Sequence, residues 1–132
     1  VNGKDSNSGN EIAITQKDVR ELQNAKAAIA AGIKILLKHA GISADNISKV
    51  YLAGGFGNYI NIKSGLKIGL IPNELRQEKI ESVGNAAGTG AIRGLLSAVE
   101  LEKTTNIKNK IKYIELSALK EFVDEYVNCM FF

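Results

Sequence analysis

Residues 49–60 read Lys49-Val50-Tyr51-Leu52-Ala53-Gly54-Gly55-Phe56-Gly57-Asn58-Tyr59-Ile60. The first five form a short run led by β-branched and aromatic residues, which predicts a buried strand. Three glycines in four positions then break the pattern, and a short helix follows from about Ile62 to Gly69 until Pro72 stops it. Glycine at the carboxyl end of a strand allows a tight turn and lets backbone N–H groups come close to a phosphate or a nucleoside. Open α/β sheets take their ligands at that same end. The stretch thus predicts a strand–turn–helix unit and marks where chemistry would sit.

Working outward, the preceding segment reads as one long helix. Thr15 is placed to cap it, with Asp18 three residues later completing an acidic capping box. Val19, Leu22, Ile29, Ile33, Leu36, Leu37 and Ala40 recur at helical spacing, and Gly41 ends the run. Its middle, Ala25 to Gly32, is almost all small residues, a smooth face that another backbone or a ligand could approach closely. Glu11 to Ile14 reads as a short strand leading into this helix. Downstream, Lys79 to Val83 is a second strand, running through Gly84 into a helix from Asn85 to about Glu102, with Asn85 as its cap. Lys110 to Leu116 reads as a third strand. Ser117 caps a last helix whose Leu119, Phe122, Val123, Tyr126, Val127 and Met130 make an amphipathic stripe for docking on the core. Strands alternating with helices predict an α/β fold.

Composition narrows the function classes. The chain has 132 residues, 45% of them apolar, enough for one sizeable core. A single cysteine, Cys129, excludes a disulfide framework, and with the single His39 it excludes a Cys/His zinc site or a Cys-ligated cluster within this sequence. No run approaches the roughly 20 apolar residues of a membrane span. The polar opening at residues 1–10 is neither a signal peptide nor an anchor and reads as a linker ahead of a domain over 11–132. The net charge is only +3, and the basic run from Lys103 to Lys112 lacks the interleaved aromatics of a nucleic-acid surface, so it reads as a solvated face. No nucleic-acid partner is expected.

Catalytic groups are sparse. His39 stands near the end of the long helix, where it meets the helix dipole and needs no further role. Glu100, Glu102, Glu121, Asp124 and Glu125 read as solvent-facing, and no acid–base pair stands out. The glycine clusters at 54–57 and 84–90 remain. They match neither the Walker A pattern, since no glycine precedes Lys and then Ser or Thr, nor a dinucleotide fingerprint, which fails at Ile60 and at Arg93. Read on their own, they serve either a small-molecule or nucleotide site or only turns and close packing. Cys129 stands four from the end, as in prenylation signals, but the periodicity of the last helix accounts for its neighbours.

The order of these parts resembles the second half of an actin-like, sugar-kinase and chaperone-type ATPase. Val50 to Asn58 is similar to that superfamily's adenosine motif, and Gly84 to Ala91 to its Gly/Ala-rich connecting helix. The likeness is closer to one branch. Ile14 to Gln23, Ala25 to Ile29, Leu52 to Ile60 and Val83 to Ala91, in that order, resemble the C-terminal domain of the reductive activators of corrinoid proteins. The likeness covers about residues 11–132.

That resemblance implies a specific picture. The fold would be half of an actin-like (ribonuclease H-like) ATPase module, a short mixed sheet with flanking helices, and 11–132 would be its C-terminal subdomain. Gly54, Gly55 and Gly57 would form a backbone bed under the adenosine and its nearer phosphates, with Phe56 beside them. Asn58 would either hydrogen-bond the nucleotide or cap the next helix. Gln23 and Lys26 fall where chaperone-type relatives contact the adenosine. ATP with Mg2+ would be shared with a missing half, because the superfamily's first phosphate loop is absent here, so the chain alone would not hydrolyse ATP. A [2Fe-2S] cluster would belong only to the full-length protein, which would use ATP to drive an electron onto a Co(II) corrinoid. Implied partners are a corrinoid protein or corrinoid methyltransferase, the N-terminal half of the same protein and a possible second copy, in the cytoplasm and away from membranes. Two rivals stand beside this reading: an interaction module without a nucleotide site, and half of a small-molecule kinase.

Overall fold

The computed structural model describes residues 2–7 and 9–132. Helix α1 (Gln16–Ala40) starts as the sequence dictates: the Thr15 hydroxyl accepts from the Asp18 N–H at 3.3 Å, and the Thr15 N–H donates to Asp18 Oδ2 at 2.8 Å. It ends on Gly41, whose φ of 66° is the left-handed value that favours glycine. Strand β1 (Val50–Ala53) then runs parallel to β2 (Ile80–Gly84). The crossover between them carries α2 (Gly54–Tyr59), α3 (Ile62–Lys67) and a 3-10 turn at Gln77–Lys79. In the sheet Val50 pairs with Ile80, Tyr51 with Glu81, Leu52 with Ser82 and Ala53 with Gly84, so Val83 is the extra residue of a bulge. Helices α4 (Ala86–Leu96), α5 (Ala98–Lys108) and α6 (Lys120–Asn128) complete the chain.

Among the described residues two small cores hold these parts together. The smooth face of α1 is covered by α6: Ala27, Ala30 and Ala31 are buried with Cys129 under Phe122, Tyr126 and Met130. Small side chains let the two helices close in, and Phe122, Tyr126 and Met130 of the expected docking stripe fill the face, whereas Val123 and Val127 stay exposed. The second core joins Ile71, Leu75 and Ile80 to Ile33 of α1 and to Val50 and Leu52 of β1. The α/β class with a short sheet and flanking helices is therefore observed, although among the described residues the sheet is one parallel pair and not mixed.

Several local expectations are corrected. Residues 111–115 form no strand; Ile111 and Tyr113 are exposed, and among the described residues no third strand pairs with the sheet. The alternation there is broken by Ile114 and flanked by Lys110 and Lys112, so neither face gains by burial. Residues 11–14 are likewise irregular. The expected single helix from Asn85 to Glu102 is two helices, because Ser97 adopts extended angles (φ −145°, ψ 117°) and its side chain accepts from the Glu100 N–H. A serine that caps competes with a serine that continues. Ser117 does not cap the last helix: it lies in a 3-10 turn at Leu116–Ala118, and α6 starts at Lys120 without a side-chain cap. β1 is half-buried rather than buried, with Tyr51 and Ala53 facing out. Among the described residues no helix is long and apolar enough to cross a membrane.

Candidate functional site

The glycine stretch is not a loose turn but the helix α2, set directly on the end of β1. An extended chain becomes helical there within one residue, which Gly54 permits at φ 79°. The three glycines then do different things. A Cβ at Gly54 or Gly55 would meet nothing within 4 Å, so the backbone there is open to an approaching ligand. A Cβ at Gly57 would lie 2.9 Å from the carbonyl carbon of Leu52, so this glycine lets α2 rest on β1. Phe56 and Asn58 are exposed on the same helix. Asn58 does not cap the next helix; Asn61 does, its Oδ1 accepting from the Ser64 N–H at 2.9 Å.

Beside this end of β1, the end of β2 turns off in the same manner. Gly84 has φ 62°, and Asn85 caps α4 by accepting the Gly88 N–H at 2.9 Å. Gly88 is required by that cap, since a Cβ would sit 2.6 Å from the Asn85 side-chain nitrogen. Ser82 joins the two units: its hydroxyl donates to the Gly57 carbonyl at 3.2 Å. Sequence reasoning did not single out Ser82, because nothing in the local pattern around it signals a bond to a residue 25 positions away.

The residues expected on α1 stand apart from α2. Phe56 and Gly57 line an apolar hollow of about 180 Å³ that Ile29 and Ile33 of α1 close from the other side. Lys26 faces a different cavity, of about 190 Å³, bounded by Lys34, Gly69, Pro72 and the chain around Cys129. It is 2% exposed, and its ammonium donates to the Cys129 carbonyl at 2.7 Å and to the Phe131 carbonyl, with the Phe132 ring centred 5.1 Å away. The signal for its burial was its position among alanines in the small-residue face. Gln23 is half-buried on the same helix.

Charges gather at the α1–α6 seam. Lys34 pairs with Glu125 at 2.9 Å, and Glu121 takes Lys38 and, at 2.6 Å, His39 Nε2. Hydrogen bonds from Lys34 to Glu125, and from Lys38 with His39 to Glu121, hold both carboxyls below their ordinary range, and the same bonds to glutamate lift Lys34 and Lys38 above theirs. Glu121 and Glu125 are thus paired acids and not simply solvent-facing ones. Burial raises the Cys129 thiol, the opposite of activation. Among the described residues no group of three or more His, Cys, Asp or Glu side chains could hold a metal ion.

Comparison with known proteins bears on this geometry. A family profile described as the C-terminal domain of RACo, the ASKHA domain, matches residues 1–132. The chain is 42% identical over 124 residues to the corrinoid activation enzyme RamQ of Eubacterium limosum, covering 93% of this chain and 21% of that protein. It is 30% identical over 103 residues to the [Co(II) methylated amine-specific corrinoid protein] reductase of Methanosarcina barkeri, covering 78% and 19% respectively. Among solved structures it superposes on a reductive activator for corrinoid, iron-sulfur protein with a TM-score of 0.84 at 38% identity, over 98% of this chain and 20% of the other. The chain therefore spans about one fifth of the length of these relatives.

Proposed function

Because the chain belongs to the family of RACo C-terminal ASKHA domains, we propose that it is the nucleotide-binding subdomain of an ATP-dependent reductive activator of corrinoid proteins. Such an activator passes one electron from a reduced [2Fe-2S] cluster, held outside this chain, to a Co(II) corrinoid and restores Co(I); no proton need move. The relatives named for corrinoid activation and corrinoid reduction support the reaction class. The observation that carries the nucleotide reading is the open backbone of Gly54 and Gly55 at the carboxyl end of a parallel strand.

The residues present fit an adenosine with its nearer phosphates. Gly54 and Gly55 leave room where any side chain would intrude, Gly57 fixes the height of the helix, and Phe56 and Asn58 are exposed beside them. Gln23 and Lys26 are the α1 residues assigned to the adenosine by resemblance. Lys26 would serve only after exchanging two carbonyl partners for the ligand. Bound ATP supplies the free energy that makes a low-potential electron transfer possible. Mg2+ would be held by the phosphates and by carboxylates outside this chain. The partner is a corrinoid protein or corrinoid methyltransferase, the compartment the cytoplasm, and residues 1–10 a linker ahead of the subdomain at 11–132.

Gly55→Val tests this reading. Its side chain points into open space, so the variant folds, yet it blocks the backbone that a nucleotide needs. In the intact protein we expect binding of a non-hydrolysable ATP analogue to fall at least about ten-fold, the equivalent of one lost charge-assisted hydrogen bond. The ATP-dependent appearance of the Co(I) absorption band should be lost with it. Undiminished analogue binding in Gly55→Val would defeat the nucleotide reading. The rival, an interaction or dimerisation module, is favoured by the exposed apolar surface of α4 and α5; it predicts no analogue binding in the parent protein at all.

A further inference from the structure

We propose that Ser82 is a positioning residue for the glycine helix α2, holding it at the height at which Gly54 and Gly55 receive a ligand; this rests on the nucleotide reading above. Three elements meet at one point. Leu52 of β1 and Ser82 of β2 are register partners in the sheet. Gly57 of α2 lies against the Leu52 backbone, close enough that even a methyl group would strike it. The Ser82 hydroxyl then donates to the Gly57 carbonyl at 3.2 Å.

That carbonyl needs a donor. A helix leaves its last four carbonyls without intrahelical partners, and in a helix of six residues Gly57 is among them. The Ile60 N–H goes to Phe56, and Ser82 supplies the bond to Gly57. Packing at Gly57 sets how near α2 comes to β1, and the junction at Gly54 anchors its start, but neither fixes the direction in which the helix leaves the strand. A directional bond from the neighbouring strand removes that freedom. Ser82 is also the last residue in regular register: the bulge at Val83 follows at once and brings Gly84 level with Ala53. The sheet thus holds the two left-handed glycine turns, Gly54 and Gly84, side by side, and the Ser82 bond sets how the body of α2 is held relative to them.

The test compares Ser82→Ala with Ser82→Thr in the intact protein, titrated with a non-hydrolysable ATP analogue. One hydrogen bond of this kind corresponds to an expected loss of about five-fold in affinity for Ser82→Ala, with Ser82→Thr restored to within about two-fold of the parent. Hydrogen exchange without nucleotide supplies an independent reading: amides of 55–60 should exchange faster in Ser82→Ala while those of α1 and α6 do not change. Equal affinity in parent and Ser82→Ala overturns the proposal, as does failure of threonine to rescue. Unchanged exchange at 55–60, or a uniform rise across the chain, overturns it as well. If the parent binds no analogue, the nucleotide reading fails, and the exchange experiment still decides whether Ser82 positions α2.

Discussion

Gly55 and Gly57 stand two positions apart on one short helix and carry opposite expectations. Alanine at 57 would place its Cβ 2.9 Å from a backbone carbon, which cannot swing aside as a flexible side chain would. Gly57→Ala should therefore destabilise by about 1–3 kcal/mol through overpacking. Alanine at 55 meets open space and restricts the unfolded chain, so Gly55→Ala should be neutral or stabilise by up to about 1 kcal/mol. Urea denaturation of the two variants checks this, and equal midpoints would refute the packing argument. Lys26 offers a third case. Lys26→Met leaves the carbonyls of Cys129 and Phe131 without their donor, and a loss of about 1–3 kcal/mol is expected. A nucleotide role for Lys26 would show as a loss of analogue affinity in excess of that destabilisation. At this scale the turn at Gly54 was legible, because a strand running into Gly-Gly-x-Gly cannot continue as a strand. Ser82 and the partners of Lys26 were not, since a hydroxyl–carbonyl bond and a buried ammonium arise from tertiary placement and leave no periodicity.

Among elements, α1 and α6 were the most readable and their joint is the most testable. A capping box, a sustained apolar stripe and a terminal glycine mark α1 in the sequence, and the stripe from Leu119 to Met130 marks α6 as docking, although only its Phe122, Tyr126 and Met130 pack on α1 while Val123 and Val127 are exposed. The strand expected at 110–116 failed because its pattern is local, whereas a strand exists only where an edge accepts it. The split at Ser97 failed for a related reason: serine reads equally as helix interior and as cap until its φ is known. The α1–α6 seam carries Lys34–Glu125, Lys38–Glu121 and His39–Glu121. Both carboxyls titrate below their unfolded value, so their contribution is complete above the ordinary carboxylate range and is lost as pH falls through the lowered values. Stability should thus drop below about pH 4, the ordinary glutamate value. The Glu121→Gln/Glu125→Gln double variant should flatten that drop, and added salt should weaken it, because the pairs are partly exposed. Urea midpoints between pH 7 and pH 3 measure this. A double variant as acid-sensitive as the parent would show that the seam is not the element responding.

For the molecule as a whole, exposed area is the decisive quantity. A folded monomer of 14.2 kDa should expose about 6,800 Å²; this chain exposes 9972 Å². The surplus, about 3,000 Å², is several times the roughly 800 Å² that one partner contributes to a standard interface, and the irregular, exposed residues 9–15 account for part of it. Part of it is apolar: Leu95 and Leu96 of α4 are 86% and 79% exposed, and Val99, Leu101 and Ile107 of α5 stand out with them. The sheet says the same thing in another way. A parallel pair of strands is ordinarily covered on both faces, and a two-stranded sheet is marginal alone, yet here Tyr51, Ala53 and Val83 face outward. Under the proposed function such surfaces would meet further polypeptide of the activator; this chain spans about one fifth of the length of its relatives. The expectation is a difference in hydrogen exchange. In the 132-residue chain alone, amides of β1 and α4 should exchange quickly, and the chain should show no ATP hydrolysis above blank. In the intact protein the same amides should be protected by at least about a hundred-fold, the scale of about 2.7 kcal/mol of added local stability. Protection that is the same in both would mean that the exposed sheet face and the α4–α5 pair meet something other than their own chain, and the interaction-module reading would then take precedence.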